Sequence, residues 1–453
     1  MARTLRIGPH LPILAMKLMI DDFPLADEDH AAPVPPRRRG APRGLWLVAL
    51  LIFIAAAAVR IYPSAGFTGV GFDEALYRDY VIKLDLVGLT GFPEICQLYV
   101  EDQQKEGSIA KLPPTRFLYV LTAWGWKRLT FGNAPPLVPR SPGFAAHDPA
   151  LVSLHRVSCL FSILGVAAAG LAAWRMFGAT ALLGVLALVG FSPVAIHMGQ
   201  HALIDGFFAF WATMCVWMLW ENLQYPDDPR RLAALALCGA AMVLTKENSF
   251  FVAVALAALV AVNRWAQFGR VTPRLVAVGI GGPAIGALTL VALAGGFGEF
   301  VEVYRTLVAK AAVLPYAIKT GDGPWHRYLV DLLIVSPAVL LLAIGGAFTQ
   351  LRRHRGYLYL GCFVVFTYVF MCNVKYAMNL RYTSIWELPM AALAVAQLGD
   401  LTRRCGERQR LALAILLTAL CAYGLRQYLL FFSDFGLYEL VSEGLLRAVQ
   451  ILK

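Results

Sequence analysis

The sequence predicts an all-α fold, a polytopic bundle of about eleven transmembrane helices. Hydrophobic residues make up 58% of the 453 residues and charged residues only 15%, a composition too apolar for ordinary globular packing. Apolar stretches of about 15 to 22 residues also recur from Leu45 to Leu430, and each is long enough to cross about 30 Å of hydrocarbon. Because lipid offers the backbone no hydrogen-bond partner, these spans must be helices.

The charge and the cysteines exclude two other classes of protein. The net charge of +11 comes from short basic clusters between the apolar stretches, which are not interleaved with aromatic residues as in a nucleic-acid-binding surface. Predicted spans contain Cys159, Cys215, Cys238, Cys362 and Cys421, and none of the eight cysteines forms a CxxC pair. We therefore expect no nucleic-acid partner, no disulfide scaffold and no structural zinc site.

The first element, residues 1–44, is polar and ends in a proline-rich basic run, which predicts a disordered cytoplasmic tail. Either Met1 or Met16 is the start of translation. Leu45–Ile61 follows as the first span and is long enough for an uncleaved signal anchor. Its alanine run leaves a cleaved signal peptide as the alternative.

Placing the basic tail inside, as the positive-inside rule requires, makes residues 63–150 a large first outer loop. Two segments of this loop, 73–89 and 117–129, have the features of helices lying at the membrane interface. The transmembrane domain covers 45–430. Its further spans are predicted near 151–174, 179–195, 203–220, two short spans within 232–262, 275–294, 329–348, 357–372, 383–398 and 411–430.

The run Leu232–Val262 contains the polar stretch Thr245–Ser249, so it fits either one span or two. Two short spans are favoured because they place the basic loop Arg264–Arg274 on the inner side. Beyond this hairpin we predict a second outer loop at 295–328. After the last span we predict an amphipathic outer-surface helix at 431–453.

This topology places the unusual polar residues on the outer side of the membrane, which indicates one outward-facing cavity. They are Asp73, Glu74, Lys111, His201, Asp205, Lys246, Glu247, Lys375 and Arg381. Asp73 and Glu74 come soon after the first span. An acid at this boundary can deprotonate an acceptor hydroxyl beside a lipid-linked donor, a contribution of about 10² to 10⁴ in rate. Capping of the following helix is the alternative role of Asp73.

Other candidates also have a structural alternative. Arg78, one helical turn after Glu74, either pairs with it or contacts a phosphate. Lys111 precedes a rigid proline pair and is either held near a lipid phosphate or solvated in the loop. Lys246 and Glu247 either form a local ion pair at the hairpin tip or line a charged cavity.

Arg381 and Tyr382 begin the tenth span, where interfacial anchoring is the structural alternative to a role in the cavity. His197, His201 and Asp205 have i, i+4 spacing, which places them on one face of the helix that enters the fourth span. This arrangement suits a divalent metal, although boundary residues of a helix give the same pattern. Asp205 is the strongest candidate of the three, since an acid in or near a span is costly without a role.

Together these motifs resemble the GT-C superfamily of polyprenyl-phosphate-sugar-dependent glycosyltransferases. The resemblance is strongest to the bacterial relatives of protein O-mannosyltransferases and to lipid A aminoarabinose transferases, of the glycosyltransferase family 39 type. It covers about residues 45 to 395. The matching motifs are Phe72-Asp73-Glu74, Lys111-Leu112-Pro113-Pro114, Arg156-Val157-Ser158, Arg175-Met176-Phe177-Gly178, Ser192-Pro193, Ala202-Leu203-Ile204-Asp205, Leu244-Thr245-Lys246, Gly323-Pro324-Trp325 and Arg381-Tyr382.

The resemblance implies inverting transfer of a hexose or pentose from a polyprenyl-phosphate donor to a lipid, glycan or protein acceptor. It implies catalysis by Asp73, as general base, and by Asp205, with no tightly bound metal or other cofactor required. The residues expected to bind donor or acceptor are Glu74, Arg78, Lys111, His201, Lys246, Glu247, Arg381 and Tyr382. One departure is that Leu112 separates Lys111 from the two prolines, where relatives often have a lysine directly before them.

Two other functions stay open. A lipid or solute transporter or flippase also buries ionisable residues, but it predicts repeated halves and broken helices, and the sequence indicates neither. An O-antigen ligase or polymerase usually has its main outer loop late in the chain, whereas the longest predicted loop here comes first. The expected location is a bacterial inner (plasma) membrane, with the site facing the periplasm or exterior.

Overall fold

The computed structural model describes residues 43–62, 70–139, 143–314, 318, 321–374 and 378–452. Within these ranges the chain is helical and contains no β-strand, as the sequence predicts. Residues 1–42 of the predicted tail lie outside the described residues, and so do both candidate start residues, Met1 and Met16. Lys375 also lies outside them. Those predictions therefore stay predictions.

The helices follow one another with short connections. The α-helices are α1 Arg43–Ile61, α2 Phe72–Val87, α3 Phe92–Gln104, α4 Phe117–Phe131, α5 Phe144–His147, α6 Pro149–Phe177, α7 Ala179–Gly190, α8 Pro193–Gln200, α9 Ile204–Gln224, α10 Pro229–Thr245, α11 Ser249–Ala266, α12 Pro273–Leu293, α13 Phe297–Val313, α14 Arg327–Val335, α15 Pro337–Gln350, α16 Arg355–Asn373, α17 Glu387–Thr402, α18 Gln409–Tyr428 and α19 Ser442–Ala448. Two 3₁₀ helices, Leu380–Trp386 and Arg403–Arg408, precede α17 and α18, and a π-helical turn, Leu429–Asp434, follows α18.

Length and hydropathy identify the part that crosses the membrane. In the described part of the chain, six helical stretches are long and apolar enough to span a bilayer: Gly44–Ile61, Pro149–Phe177, Ser249–Ala266, Pro273–Leu293, Arg355–Asn373 and Leu380–Asp434. The bent pair α7 and α8 makes seven if it is taken as one span. The chain is therefore a multi-pass membrane protein, and the number of about eleven spans stays a prediction.

The hairpin predicted within 232–262 consists of two helices. Helix α10 ends at Thr245 and α11 begins at Ser249. Lys246, directly after α10, is extended, with φ −160° and ψ 146°, so the helix ends there. The predicted break at this stretch is present, and the prediction that both helices cross the membrane stays a prediction.

Two predicted spans are interrupted, which corrects the expectation of unbroken helices. Helices α7 and α8 meet at a bend of 58°, and Ser336 separates α14 from α15. The guanidinium of Arg60, which is 2% exposed, donates to the carbonyls of Gly190 at 2.7 Å and Val189 at 3.1 Å, at the end of α7. A buried arginine thus supplies the hydrogen bonds that the interrupted helix cannot make for itself.

The first outer loop is a packed layer of helices. Helices α2, α3 and α4 share a hydrophobic core with the adjoining ends of α6 and α9. Both predicted interfacial segments are helical, but the apolar stripe of α2 packs on protein instead of the membrane surface, with Val81 and Leu84 at 0% exposure. Helices α3 and α13 were not predicted.

The segment after α18 differs from the predicted surface helix over 431–453. Only Ser442–Ala448 is α-helical. The chain around it folds back into the protein, and the side chains of Leu440 and Leu445 are fully buried. The apolar residues that suggest an amphipathic helix therefore pack into the main core.

Candidate active site

Four elements that are far apart in the sequence bring charged side chains together. Arg381 Nη1 lies 2.9 Å from Asp73 Oδ2 and 4.0 Å from Asp205 Oδ2. Lys246 Nζ lies 2.5 Å from Asp205 Oδ1. These four residues, which we call the central cluster, come from the first outer loop, α9, the α10–α11 tip and the 3₁₀ helix before α17. The sequence singles out all four.

Each member of the central cluster is placed by a helix end. Asp73 and Asp205 lie in the first turns of α2 and α9, where the helix dipole favours a negative charge. Gly71 is the N-cap residue of α2, so the alternative role of Asp73 as a helix cap is wrong. Lys246 directly follows α10, where the dipole favours a cation.

The central cluster is largely shielded from water. The side chains of Lys246 and Asp205 are 2% and 4% exposed, and that of Arg381 is 9% exposed. Asp73 is the most accessible of the four at 15%. Burial excludes interfacial snorkelling for Arg381, and Asp73 is the more accessible of the two carboxylates in the central cluster.

Tyr382 and a second ion pair surround the central cluster. The Lys246 ammonium lies 4.3 Å from the centre of the Tyr382 ring, a cation–π contact. Arg116 binds Glu247 through Nη2 and through Nε, the latter at 3.1 Å. Lys246 and Glu247 therefore have separate partners, and the alternative of a local ion pair between them is wrong.

Arg116 and Tyr77 are site residues that the sequence analysis missed. Arg116 is 6% exposed, Tyr77 is fully buried, and Arg116 Nη1 donates to the Tyr77 hydroxyl at 2.6 Å. Burial raises the pKa of Glu247, but the charge and hydrogen bonds of Arg116 outweigh it and hold this pKa below 4.5. One feature of the sequence could have indicated Arg116 as a site residue. It is a charged residue that lies just after the two prolines and directly before the apolar helix α4.

Glu74 is buried, at 1% exposure, and its carboxylate connects two segments of the chain through hydrogen bonds. Its Oε1 accepts hydrogen bonds from the Ala202 amide at 2.7 Å and from His201 Nδ1 at 3.3 Å, and its Oε2 accepts from the Gly71 amide at 2.7 Å. Burial raises the pKa of Glu74, but the hydrogen bond from His201 and the nearby histidines outweigh it and keep this pKa below 4.5. Glu74 thus fixes the start of α2, which carries Asp73, to the chain just before Asp205.

Two predicted site residues lie outside the central cluster, with other partners. Arg78 Nη2 binds Asp148 at 3.0 Å and does not pair with Glu74. Lys111 binds Asp102 at 2.8 Å, and both side chains are more than one third exposed. The hydrogen bond from Lys111 lowers the pKa of Asp102. This contact fits the solvated loop lysine, the alternative reading of Lys111.

The predicted histidine face is wrong because the helix breaks within it. Helix α8 ends at Gln200 and α9 begins at Ile204, so His197 and Asp205 lie on different helices. His197 Nε2 donates to the carbonyl of Tyr438 at 3.0 Å, while His201 faces Glu74. Across the described ranges, no three or more His, Cys, Asp or Glu side chains are grouped to hold a metal ion.

Sequence comparison and structural comparison give different results. No protein-family model matches the chain, and no curated protein matches it. Among solved structures, the oligosaccharyltransferase of Archaeoglobus fulgidus in the apo form aligns with a TM-score of 0.57 at 13% identity, over 85% of this chain and 55% of that one. The archaeal oligosaccharyltransferase AglB of the same organism, in complex with an inhibitory peptide and a dolichol-phosphate, gives 0.51 at 13% identity over the same shares.

A third similar structure is ArnT from Cupriavidus metallidurans in the apo state, with 16% identity and a TM-score of 0.49 over 82% of this chain and 62% of that one. The chain therefore spans 55 to 62% of the length of these structures. The fold assignment rests on the two oligosaccharyltransferase structures, whose TM-scores exceed 0.5. The chain shares the fold of these two membrane-protein structures, and the predicted all-α, polytopic fold class is confirmed.

Proposed function

We propose that this protein is a membrane glycosyltransferase that moves a sugar from a polyprenyl-phosphate donor to a hydroxyl of a lipid, glycan or protein acceptor. The observation that carries this proposal is the central cluster, in which a partly accessible carboxylate, Asp73, lies beside two buried cations, Lys246 and Arg381. Transfer from a lipid phosphate needs a base at the acceptor and positive charge at the leaving phosphate. The central cluster provides both.

Asp73 is the proposed general base. Its Oδ2 accepts from Arg381, and among the described residues no hydrogen bond reaches its Oδ1. An acceptor hydroxyl bound there loses its proton to Asp73 as its oxygen attacks the anomeric carbon. The bond from that carbon to the phosphate oxygen breaks on the opposite side, so the configuration inverts.

Lys246 and Arg381 are proposed to stabilise the departing polyprenyl phosphate. The electron pair of the broken bond stays on the phosphate oxygen, so negative charge grows there during the reaction. Cations held in a buried site act strongly on such a charge, and loss of one preorganised donor costs about 10² to 10³ in rate in comparable sites. No metal is part of this mechanism.

Asp205 has a different role in this proposal from that of Asp73. Its side chain is 4% exposed and binds Lys246 at 2.5 Å, so it is poorly placed to take a proton from an acceptor. We propose that Asp205 positions Lys246 and offsets the cost of burying its charge. Glu247 does the same for Arg116.

A transporter is the second candidate, because the interrupted helices α7 and α8 fulfil one of its expectations. At this bend, however, Arg60 donates hydrogen bonds to the carbonyls of Gly190 and Val189. Arg60 thus binds two of the carbonyls that a broken helix would otherwise present to a substrate. A transporter also predicts no new glycosylated product, and this difference separates the two candidates.

The test is complementation of a strain that lacks the gene, with the wild type, Asp73→Asn or Asp79→Asn at equal expression. Asp79 is the matched control, since it lies on the same helix with a side chain 59% exposed. Mass spectrometry of extracted lipids, glycans and envelope proteins measures the product. We expect the wild type and Asp79→Asn to restore a glycosylated product and Asp73→Asn to leave less than about 1% of it. Equal restoration by Asp73→Asn refutes the mechanism.

A further inference from the structure

The segment after the last long helix returns to the central cluster. In this return segment, residues 435–448, the Leu437 amide donates to the carbonyl of Phe431 at 3.0 Å. The carbonyl of Tyr438 accepts from His197 at 3.0 Å, and the Tyr438 ring packs edge-on against His201, with ring centres 5.3 Å apart. These contacts hold residue 439 at the edge of the site.

Glu439 of the return segment shares Arg381 with the two acids of the central cluster. Its Oε2 lies 3.7 Å from Arg381 Nη2, while Asp73 contacts Nη1 at 2.9 Å. Asn379 Nδ2 donates to the same Glu439 oxygen at 3.5 Å. One buried guanidinium is thus surrounded by three carboxylates, since Asp205 lies 4.0 Å from Nη1.

Arg381 keeps one donor unused. Its Nε is buried and has no hydrogen-bond partner among the described residues. The residue as a whole is 7% exposed, so water reaches this group poorly. A buried donor without a partner favours an incoming oxygen, and the planar guanidinium binds a phosphate best through two parallel N–H groups.

Glu439 is the carboxylate best able to give up its contact. Asp205 is only 4% exposed and is bound by Lys246, and Asp73 contacts Arg381 at 2.9 Å. Glu439 is 22% exposed and contacts Arg381 at 3.7 Å. Its negative charge also repels any anion that approaches the Nη2 and Nε side of Arg381.

We propose that Glu439 occupies Arg381 in the substrate-free site and is displaced by the phosphate of the lipid donor, so that it sets the affinity for lipid phosphate. The phosphate then takes Nη2 and Nε of Arg381, and Asp73 keeps Nη1. This inference rests on the proposed function, because it names the lipid phosphate as the ligand of the same site.

The test is binding of undecaprenyl phosphate to the purified full chain in lipid nanodiscs, measured by native mass spectrometry at low salt. Glu439→Gln keeps the shape and removes the charge, and we expect about tenfold tighter binding. Glu439→Asp keeps the charge and is expected to bind within about twofold of the wild type. Glu443→Gln is the matched control on the same segment, where Glu443 pairs with Arg447 at 2.9 Å, and it is expected to leave the affinity unchanged.

The outcomes separate this inference from the proposed function. Tighter binding by Glu439→Gln alone supports the inference. If the wild type binds the lipid and Glu439→Gln binds equally or more weakly, Glu439 only holds the segment in place and the inference is overturned. Equal tightening by Glu439→Asp overturns it too, because charge is then not the cause. If the wild type does not bind undecaprenyl phosphate, the proposed function fails and the inference fails with it.

Discussion

Replacement of Lys246 by methionine tests the buried ion pair at the centre of the site. Lys246 and Asp205 are 2.5 Å apart, with side chains 2% and 4% exposed. Removing one partner of such a pair leaves an uncompensated buried charge, which costs about 3 to 5 kcal/mol. Arg381, at 4.0 Å from Asp205, compensates part of that charge. We therefore expect Lys246→Met to lower the free energy of unfolding by about 3 kcal/mol, the lower end of this range.

Unfolding in mixed detergent and SDS micelles measures this free energy, and a double-mutant cycle isolates the pair. Asp205→Asn combined with Lys246→Met removes both charges, so we expect it to recover more than half of the loss. Lys111→Met is the matched control. It breaks the exposed pair with Asp102, and it is expected to cost less than about 1 kcal/mol. A loss for Lys246→Met no larger than that of Lys111→Met would refute the reasoning.

The two remaining predictions concern residues that position the site or the fold. The pKa of Glu74 lies below 4.5, so its contribution to stability is present above that pH and is lost as the pH falls below it. Thermal unfolding should therefore show a smaller decrease in Tm for Glu74→Gln than for the wild type as the pH falls below 4.5, and identical pH dependence would contradict this. Arg60→Ala leaves the carbonyls at the end of α7 without a donor. It should lower the free energy of unfolding by about 2 to 4 kcal/mol. Arg305→Ala, at a side chain 80% exposed, should change the same unfolding free energy by less than about 0.5 kcal/mol, and equal losses would contradict the role of Arg60.

The residues of the central cluster could be found from the sequence because charge is rare in an apolar chain. An acid or base near a predicted span stands out, and Asp73, Asp205, Lys246 and Arg381 were all selected on this basis. Their mutual contacts were not predictable. The pairing of Asp73 with Arg381 joins residues 308 positions apart, and it depends on the packing of the helices.

Two of the expected local arrangements fail for the same physical reason. The spacing favours pairing of Glu74 with Arg78 as one alternative, and it places His201 and Asp205 on one face, because residues four positions apart face the same side of a helix. Long-range partners replaced these local ones: Glu74 binds the Ala202 amide, and Arg78 binds Asp148. In a buried site each charged group binds the partner that best compensates its charge. The spacing of residues in the sequence does not reveal that partner.

The fold class was predictable, but its irregularities were not. Hydropathy predicts helices wherever the chain is apolar enough, and it carries little information about breaks inside an apolar run. The bend between α7 and α8 lies just before Pro193, and the carbonyls there accept hydrogen bonds from Arg60, a residue that the sequence presents as the end of the first span. The return segment was similarly placed on the surface because its apolar residues fit an amphipathic helix.

Transfer by purified protein tests the proposal that Asp73 activates an acceptor beside a lipid phosphate. The wild type, Asp73→Asn and Asp79→Asn are reconstituted in liposomes with undecaprenyl-phosphate sugars and acceptor lipids extracted from the host membrane. Transfer rate and binding of undecaprenyl phosphate are measured together. We expect a rate at least about 100-fold lower for Asp73→Asn alone, with lipid binding retained. Equal rates for the two variants would contradict it.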